Sequence, residues 1–286
     1  MRIAIVGLGL IGGSLGLALK RSGKGDLRII GIPRREGTLK KALEMGAIDE
    51  GTTDHIKGTV DADIIFVCTP VNLILPIVNE IANGLKKGAI VTDVGSSKYE
   101  IVSQAEKATP KGVYFVGGHP MAGKETVKLE AAEAELFKDK KWILTKTSKT
   151  SVRAIEQLEN LARSVGAVPM IMDPKTHDLV VAAISHMPLA VAAALANTIA
   201  NEAEKELMGK VASSGFRDTT RIASGDPILG VDMFKTNQKA VLKMIKAFKQ
   251  SLSNLEGLIK EGNGEKINEE LEKAKKFRDS IYGLNP

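Results

Sequence analysis

The sequence predicts an α/β fold: a doubly wound, mostly parallel sheet followed by an all-helical domain. Three observations carry that prediction. A short apolar run meets a glycine-rich turn and then a helix at the start of the chain. Strand-like apolar runs alternate with helix-like segments up to residue 172, and from Asp173-Pro174 onward the texture changes to long helical periodicity.

Residues 3–6 form the first strand, followed by Gly7-Leu8-Gly9-Leu10-Ile11-Gly12 and a periodic segment bearing Leu15, Leu17, Ala18 and Leu19. In this GxGxxG spacing Gly7 serves the sharp turn, Gly9 lets backbone approach a pyrophosphate, and Gly12 lets the helix pack closely on the strand. The helix N-terminus adds free N–H groups and the positive end of its dipole. The whole turn, Leu10 and Ile11 included, is therefore expected to bind a dinucleotide, which makes the sheet Rossmann-type. Residues 28–31 read as the second strand. NAD sites place an acidic residue just beyond it, about 20 residues past the glycines. Here Ile32-Pro33-Arg34-Arg35 follows, with Glu36 close behind. Two guanidiniums able to take a phosphate favour NADP over NAD.

Residues 38–45 look helical and end at Gly46. Residues 63–68 form a continuous apolar run of the kind that is buried on both faces of a parallel sheet, closed by Thr69-Pro70, which are placed to line the cofactor. A helix over 72–85, a strand over 88–93, the polar Val94-Gly95-Ser96-Ser97-Lys98, and a strand over 113–116 running into Gly117-Gly118-His119-Pro120 follow. A strand over 141–145 and a well-capped helix over 151–165 complete this part. Both polar loops, at Ser96 and at His119, fall at the carboxyl ends of strands, where such sheets hold their ligands. A dinucleotide-binding domain is thus expected over 1–172 and a helical substrate and dimerisation domain over 173–286.

In the helical part, residues 178–206 are apolar nearly all round and are expected to be buried, with a kink at Pro188. Val241, Met244, Ile245, Phe248, Leu252, Leu255 and Ile259 form one stripe of a long helix. Ile267, Leu271, Ala274, Phe277 and Ile281 repeat the pattern after Gly262-Asn263-Gly264. A helix as apolar as 178–206 calls for a partner chain, so a homodimer through this domain is expected.

Composition excludes several classes. The net charge of +6 is spread along the chain without a basic block, and aromatics are only 4%, so there is no nucleic-acid footprint, only a preference for anionic small molecules. The single cysteine, Cys68, allows neither an internal disulfide nor a cysteine-based metal site. The chain opens on a strand rather than a signal peptide, and its longest apolar run, 187–196, is about half of the ~20 residues that span a bilayer. A cytoplasmic protein without a membrane partner is expected.

The four histidines differ in promise. His55 falls in a polar loop, and His177, in the first turn of a helix, reads as structural. His119 follows two glycines after a strand and precedes proline, which holds its backbone extended at the crevice; a neutral imidazole there can take a proton from a substrate hydroxyl while hydride leaves the same carbon. His186, after Ser185 on the apolar helix, reads equally as a core histidine or a substrate ligand. Ser96 can bond the imidazole or a substrate oxygen, or cap a helix. In Gly215-Phe216-Arg217-Asp218-Thr219-Thr220-Arg221, a buried arginine would need an anion: Arg221 or Arg217 would clamp a substrate carboxylate, with Asp218 pairing the other.

GLGLIGGS (7–14), DVGSSK (93–98), GGHPMAG (117–123), SHMP (185–188) and GFRDTTRIA (215–223) together resemble, in order and spacing, the prephenate/arogenate dehydrogenases, over nearly the whole chain. The last and the GGHP motifs are far more specific than the glycine turn. The resemblance implies oxidative decarboxylation of a cyclohexadienol, with His119 as the catalytic base, Ser96 as its partner and Arg221 as the carboxylate ligand. Prephenate-using members commonly carry a histidine where this chain has Leu189 and a tryptophan where it has Gly230. Leu189, Gly230 and Asn237-Gln238 look like the NADP-dependent arogenate branch, so arogenate is the expected substrate; the alternative is a prephenate or broad cyclohexadienyl dehydrogenase. More distant rivals are hydroxyacid or imine reductases, which typically use a lysine or aspartate of the helical domain, and a non-catalytic nucleotide sensor, which has no need of His119, Ser96 and Arg221 together. With Pro286 soon after the last helix, no added regulatory domain is expected, and any tyrosine feedback is expected to act at the active site.

Overall fold

A computed structural model describes residues 1–23, 26–124 and 128–283; Pro286, on which the expectation about a regulatory domain rests, lies outside the described residues. The first strands and helices are β1 (Arg2–Val6), α1 (Leu10–Arg21), β2 (Arg28–Ile32), α2 (Glu36–Glu44), the two-residue β3 (Glu50–Gly51), α3 (His55–Thr59), β4 (Ile64–Val67), α4 (Val71–Ile81), β5 (Ile90–Asp93), α5 (Tyr99–Ala108) and β6 (Tyr114–Val116). Among the described residues these strands form one six-stranded parallel sheet in the order β3-β2-β1-β4-β5-β6. The order reverses between β1 and β4, so the turns that leave them flank the crevice where a doubly wound sheet binds ligands.

Continuous apolar strands make sense in this sheet because each face has its own core. Ile3, Ile5, Ile64, Phe66 and Ile90 pack on one side with Leu15 and Leu19 of α1. Ala4, Val6, Ile65, Val67 and Val91 pack on the other with Ile74 and Val78 of α4 and Ile101 of α5. Alternate residues of each strand therefore enter opposite cores, and the buried polar side chains of β5, Thr92 and Asp93, fall at its carboxyl end.

A second sheet departs from the expectation. β7 (Gly118–Pro120), β8 (Lys141–Thr145) and β9 (Val168–Met172) form a three-stranded sheet, antiparallel between β7 and β8 and parallel between β8 and β9, with α6 (Val152–Ser164) as the crossover. Residues 141–145 are thus a strand as expected, but not one of the doubly wound sheet. His119 lies in a short strand, paired with Ile143, rather than in a loop. Three residues that include a glycine are too short a pattern to announce a strand; what forms β7 is pairing with a distant segment.

The helices continue with α7 (Pro174–Val181), a π-helical turn over Ala182–His186, α8 (Met187–Ala200), α9 (Lys205–Val211), α10 (Ser214–Thr220), a 3-10 turn over Arg221–Ser224, α11 (Pro227–Thr236), α12 (Gln238–Glu261) and α13 (Gly264–Tyr282). By internal contacts, residues 1–238 form one compact unit and residues from Lys239 onward another. Just before Pro188, where a kink is expected, the chain makes a π turn over Ala182–His186. Proline has no N–H to offer the carbonyl four residues back, and the wider turn absorbs that loss. The expectation that 178–206 is buried is corrected: in α8 only Ala192 is buried, and Ile184 is 63% exposed. Pro174–Ala200 is long and apolar enough, by length and composition alone, to cross a membrane. In the second unit the stripe of α12 is largely open as well, with only Val241 of that helix buried and Phe277 of α13 68% exposed.

Candidate active site

Because β1, β4, β5 and β6 are parallel neighbours, the segments that leave them lie at one edge of the sheet: the glycine turn, Cys68-Thr69-Pro70, Gly95-Ser96-Ser97-Lys98 and Gly117-Gly118-His119. The glycine turn has the build expected of it. Gly7 adopts φ +93°, and a Cβ there would lie 2.6 Å from the Cys68 carbonyl oxygen; a Cβ on Gly12 would lie 2.0 Å from the Gly7 oxygen. Gly9 caps α1 without any side-chain hydrogen bond, and no acidic residue occupies the first turn, so the N–H groups that open α1 are left without a side-chain acceptor and suit an anion. The Thr69 hydroxyl oxygen beside this turn is buried without a hydrogen-bond partner among the described residues, and Pro70 caps α4. A close-packed turn with unclaimed donors and a spare hydroxyl fits a dinucleotide diphosphate.

At the end of β2, Arg34 and Arg35 are both exposed, and Arg35 is the N-cap residue of α2. Glu36 does not compete for that position unengaged: its carboxylate accepts a hydrogen bond from the Thr53 hydroxyl at 3.1 Å.

A buried polar cluster lies at the ends of β5 and β6. Asp93 and Lys98 form an ion pair with both side chains fully buried. The Asp93 carboxylate also accepts from the Gly95 N–H at 2.8 Å and from the Gly118 N–H at 3.1 Å, so the pair is hydrogen-bonded as well as charged. The chain reaches that contact because residue 118 has no side chain: a Cβ there would lie 2.5 Å from the Asp93 carbonyl oxygen. One residue on, half-buried His119 directs Nδ1 to Nε2 of His177 at 2.9 Å, with the rings edge-on at 64°. His177 Nδ1 is 2.8 Å from Asp178 Oδ1. The Asp178 carboxylate accepts from the backbone N–H groups of Lys98 (2.7 Å) and Tyr99 (2.9 Å), which open α5. His186, at the end of the π turn, is buried, and its Nδ1 lies 3.3 Å from the Asn237 amide nitrogen, which also donates to the Asp178 carbonyl oxygen at 2.7 Å.

Burial dominates the electrostatics. It holds the His119 imidazole well below its ordinary pKa, assisted by the nearby His177, Lys98 and His186, so the ring is neutral at neutral pH. It lowers His177 too, although the Asp178 carboxylate pulls the other way, and it brings His186 to about 4. The Cys68 thiol is pushed up by burial and by Asp93, which suits an inert side chain.

The other expected site residues fall as follows. Ser96 is half-buried and its hydroxyl has no hydrogen-bond partner among the described residues; it is not a helix cap, since α5 begins at Tyr99 with Lys98 at the cap position. Its neighbour Ser97 is the buried one of the two, also without a hydroxyl partner. Arg217 and Arg221 are exposed rather than buried, which corrects the premise on which they were chosen, and Arg217 pairs with Asp218 at 2.9 Å. Both belong to the α10 and 3-10 segments that pack on α8, the helix that starts directly after His186. A Cβ on Gly230 would lie 3.4 Å from Leu189 Cδ2, so these two positions face each other. His55, half-buried at the start of α3, is paired with Glu80 at 2.9 Å.

Sequence reasoning gave no part in the site to Asp93, Lys98 or Asp178, took Asn237 only as a mark of the arogenate branch rather than as a partner of His186, and gave His177 a structural part only. A signal was present: two charged residues, Asp93 and Lys98, bracket a strand end otherwise made of small residues, and His177-Asp178 interrupts the start of an apolar helix.

Comparison with known proteins agrees over most of the chain. Residues 15–171 match the family model for the prephenate dehydrogenase nucleotide-binding domain, and residues 173–273 match that for the prephenate dehydrogenase dimerization domain. Prephenate dehydrogenase of Bacillus subtilis is 36% identical, over 98% of this chain and 76% of that protein. Among solved structures, Synechocystis arogenate dehydrogenase is 37% identical with a TM-score of 0.88, covering 98% of this chain and 100% of its own. Prephenate dehydrogenase from A. aeolicus, in complex with hydroxyphenyl propionate and NAD+, is 36% identical with a TM-score of 0.91, covering 98% of each.

Proposed function

The chain belongs to the prephenate dehydrogenase family, whose two domain models match residues 15–171 and 173–273, and from that premise we propose that it oxidises and decarboxylates arogenate with NADP, giving tyrosine. The observation that carries the reading is a neutral, half-buried imidazole, that of His119, at the carboxyl edge of a dinucleotide-type sheet.

His119 is the base that takes the substrate hydroxyl proton, and Ser96, across the same edge of the sheet, hydrogen-bonds the reacting oxygen. A bound nicotinamide supplies the acceptor for the hydride that leaves the hydroxyl-bearing ring carbon. Carbon dioxide then departs from the opposite ring carbon, the bonding pair it leaves behind makes the ring aromatic, and His119 returns its proton to the phenol oxygen. Because aromatisation drives that second step, the chain's task is to position and polarise. Arg221 and Arg217 are the candidates for the substrate carboxylates, with His186 beside them at the head of α8. Gly7, Gly9, Leu10, Ile11, Gly12, Thr69 and Pro70 hold the diphosphate, and Arg34 and Arg35 the 2'-phosphate. The functional division of the chain falls at 172/173, with the helical part forming a homodimer through the apolar face of α8; its cover by a second copy also draws the exposed arginines into an enclosed site.

NADP is supported by two exposed guanidiniums at the end of β2 together with the engagement of Glu36 by Thr53. Arogenate is supported by Leu189 and Gly230 facing each other, two positions where, by the resemblance, prephenate-using members commonly carry a histidine and a tryptophan. The second reading, a prephenate or broad cyclohexadienyl dehydrogenase yielding 4-hydroxyphenylpyruvate, is favoured by relatives that carry the prephenate name, one of them solved with NAD+. Steady-state rates for arogenate and prephenate, each with NADP and NAD, decide between them: the expected order has arogenate with NADP giving the highest kcat/KM, and a higher value for prephenate or for NAD overturns the corresponding choice.

A further inference from the structure

We propose that His177 is a positioning residue for His119: backed by Asp178, it keeps the His119 proton on Nδ1 and leaves Nε2 bare to serve as the base. This rests on the assignment of His119 as base made above, and goes beyond it by fixing which nitrogen acts and what holds it there.

The protonation pattern follows by elimination along a three-residue line. Asp178 is anchored first, because its carboxylate accepts the Lys98 and Tyr99 N–H groups at the start of α5. A carboxylate that accepts on both oxygens has no proton to give, so the 2.8 Å contact to His177 requires a proton on His177 Nδ1. A neutral His177 then presents a lone pair at Nε2, and the 2.9 Å contact from His119 requires the proton on His119 Nδ1. What remains on His119 is an unprotonated Nε2. The edge-on rings, 5.1 Å between centroids, direct an in-plane N–H of one toward the in-plane lone pair of the other.

The groups around the pair favour neutral rings. Lys98 and Asp93 face them from the end of β5, Asp178 from α7 itself and His186 from the π turn. An added proton on either ring would be buried near the Lys98 ammonium. During turnover one proton moves from the substrate oxygen to His119 Nε2. The resulting imidazolium keeps its Nδ1–H bond to His177, and the Asp178 carboxylate behind His177 offsets the charge. A ring hydrogen-bonded only to backbone would be free to swap nitrogens, and one tautomer in the mixture is no base at Nε2.

Long-range 1H–15N spectra of the full chain labelled with 15N-histidine read the tautomer without any turnover. The expected pattern for His119 is a protonated Nδ1 and a bare Nε2; the reverse overturns the proposal even if the enzyme is fully active. His177→Ala should lower kcat with arogenate and NADP about 10- to 100-fold while KM stays near wild type, and should raise the acid limb of the kcat/KM profile toward the ordinary imidazole range. His177→Gln, whose amide oxygen can accept from His119 Nδ1, should recover most of that loss. A His177→Ala loss that moves neither the acid limb nor the tautomer, and that Gln does not relieve, assigns His177 to packing and overturns the proposal. Should the wild-type chain turn over neither arogenate nor prephenate, the functional reading falls, and the spectrum still decides the tautomer.

Discussion

His119 owes its position to residues that carry no chemistry: Gly118 lets the backbone close on Asp93, and Asp93 holds that backbone by the 118 N–H. The expected consequence of His119→Asn is a loss of turnover of roughly 10²- to 10⁴-fold with NADP binding retained, measured by kinetics and by cofactor titration; unchanged turnover would remove the base from the mechanism. Lys98 poses the opposite case, a charge whose value is structural. Lys98→Met leaves the Asp93 carboxylate buried without its cation, and should cost about 3–5 kcal/mol in denaturant unfolding. The three inner histidines make stability depend on pH. Burial depresses each of them, so below the unfolded value of 6.5 the unfolded chain binds protons that the folded chain refuses, and stability falls as pH drops. The His186 contribution spans 6.5 to about 4 and amounts to roughly 3 kcal/mol over that window, visible as a drop in Tm between those limits. His119 was legible from its neighbours in sequence, whereas its partner was not: the two residues are 58 apart, and a histidine at the start of a helix says nothing about what its ring will meet.

Local order dictates most of the elements. Strands over 3–6, 28–31 and 141–145 and helices over 38–45 and 151–165 appear within a residue or two of where apolar period and capping place them, because both signals are local. Ser151 indeed caps α6 by accepting the Ala154 N–H. What escaped was set by distance: β7 and β9 exist because β8 pairs with both, and the exposure of α8 depends on what covers it, which no periodicity encodes. α7 links the local to the distant, since a local cap positions a non-local relay. Asp173 accepts the Lys175 and Thr176 N–H groups at 3.0 Å each, and four residues on, the same helix carries His177 and Asp178. Asp173→Ala should therefore cost about 1 kcal/mol in global unfolding and leave the His177–Asp178 contact intact, so Tm should fall while kcat changes little. A large fall in kcat at unchanged Tm would show that the first turn of α7 tunes the relay directly.

Among the described residues, several helices carry exposed apolar side chains. In the first unit Ile184, Leu207, Val211 and Ile228 are open, and in the second Leu252, Ile259, Leu271, Phe277 and Ile281. For the helical stretch Pro174–Ala200 a bilayer and a second copy are competing covers. The bilayer is the poorer one, since this stretch also carries His177, Asp178 and His186, fixed by hydrogen bonds to α5, β7 and Asn237. A second copy would meet the apolar face and leave the polar line undisturbed. If the chain is a homodimer through these helices, folding and association are one equilibrium, and the apparent stability must rise with protein concentration by about 1.4 kcal/mol per dimer for each tenfold increase. Sedimentation should then give twice the mass of one chain, and Tm should climb measurably across a hundredfold concentration series. A monomer with a Tm indifferent to concentration would mean that these faces stay open to water and would overturn the homodimer. The exposed Arg217 and Arg221 would then have to bind substrate in open water, where a salt bridge contributes little, and Arg221→Ala would raise KM only slightly instead of the tenfold or more expected of a carboxylate clamp enclosed by the dimer.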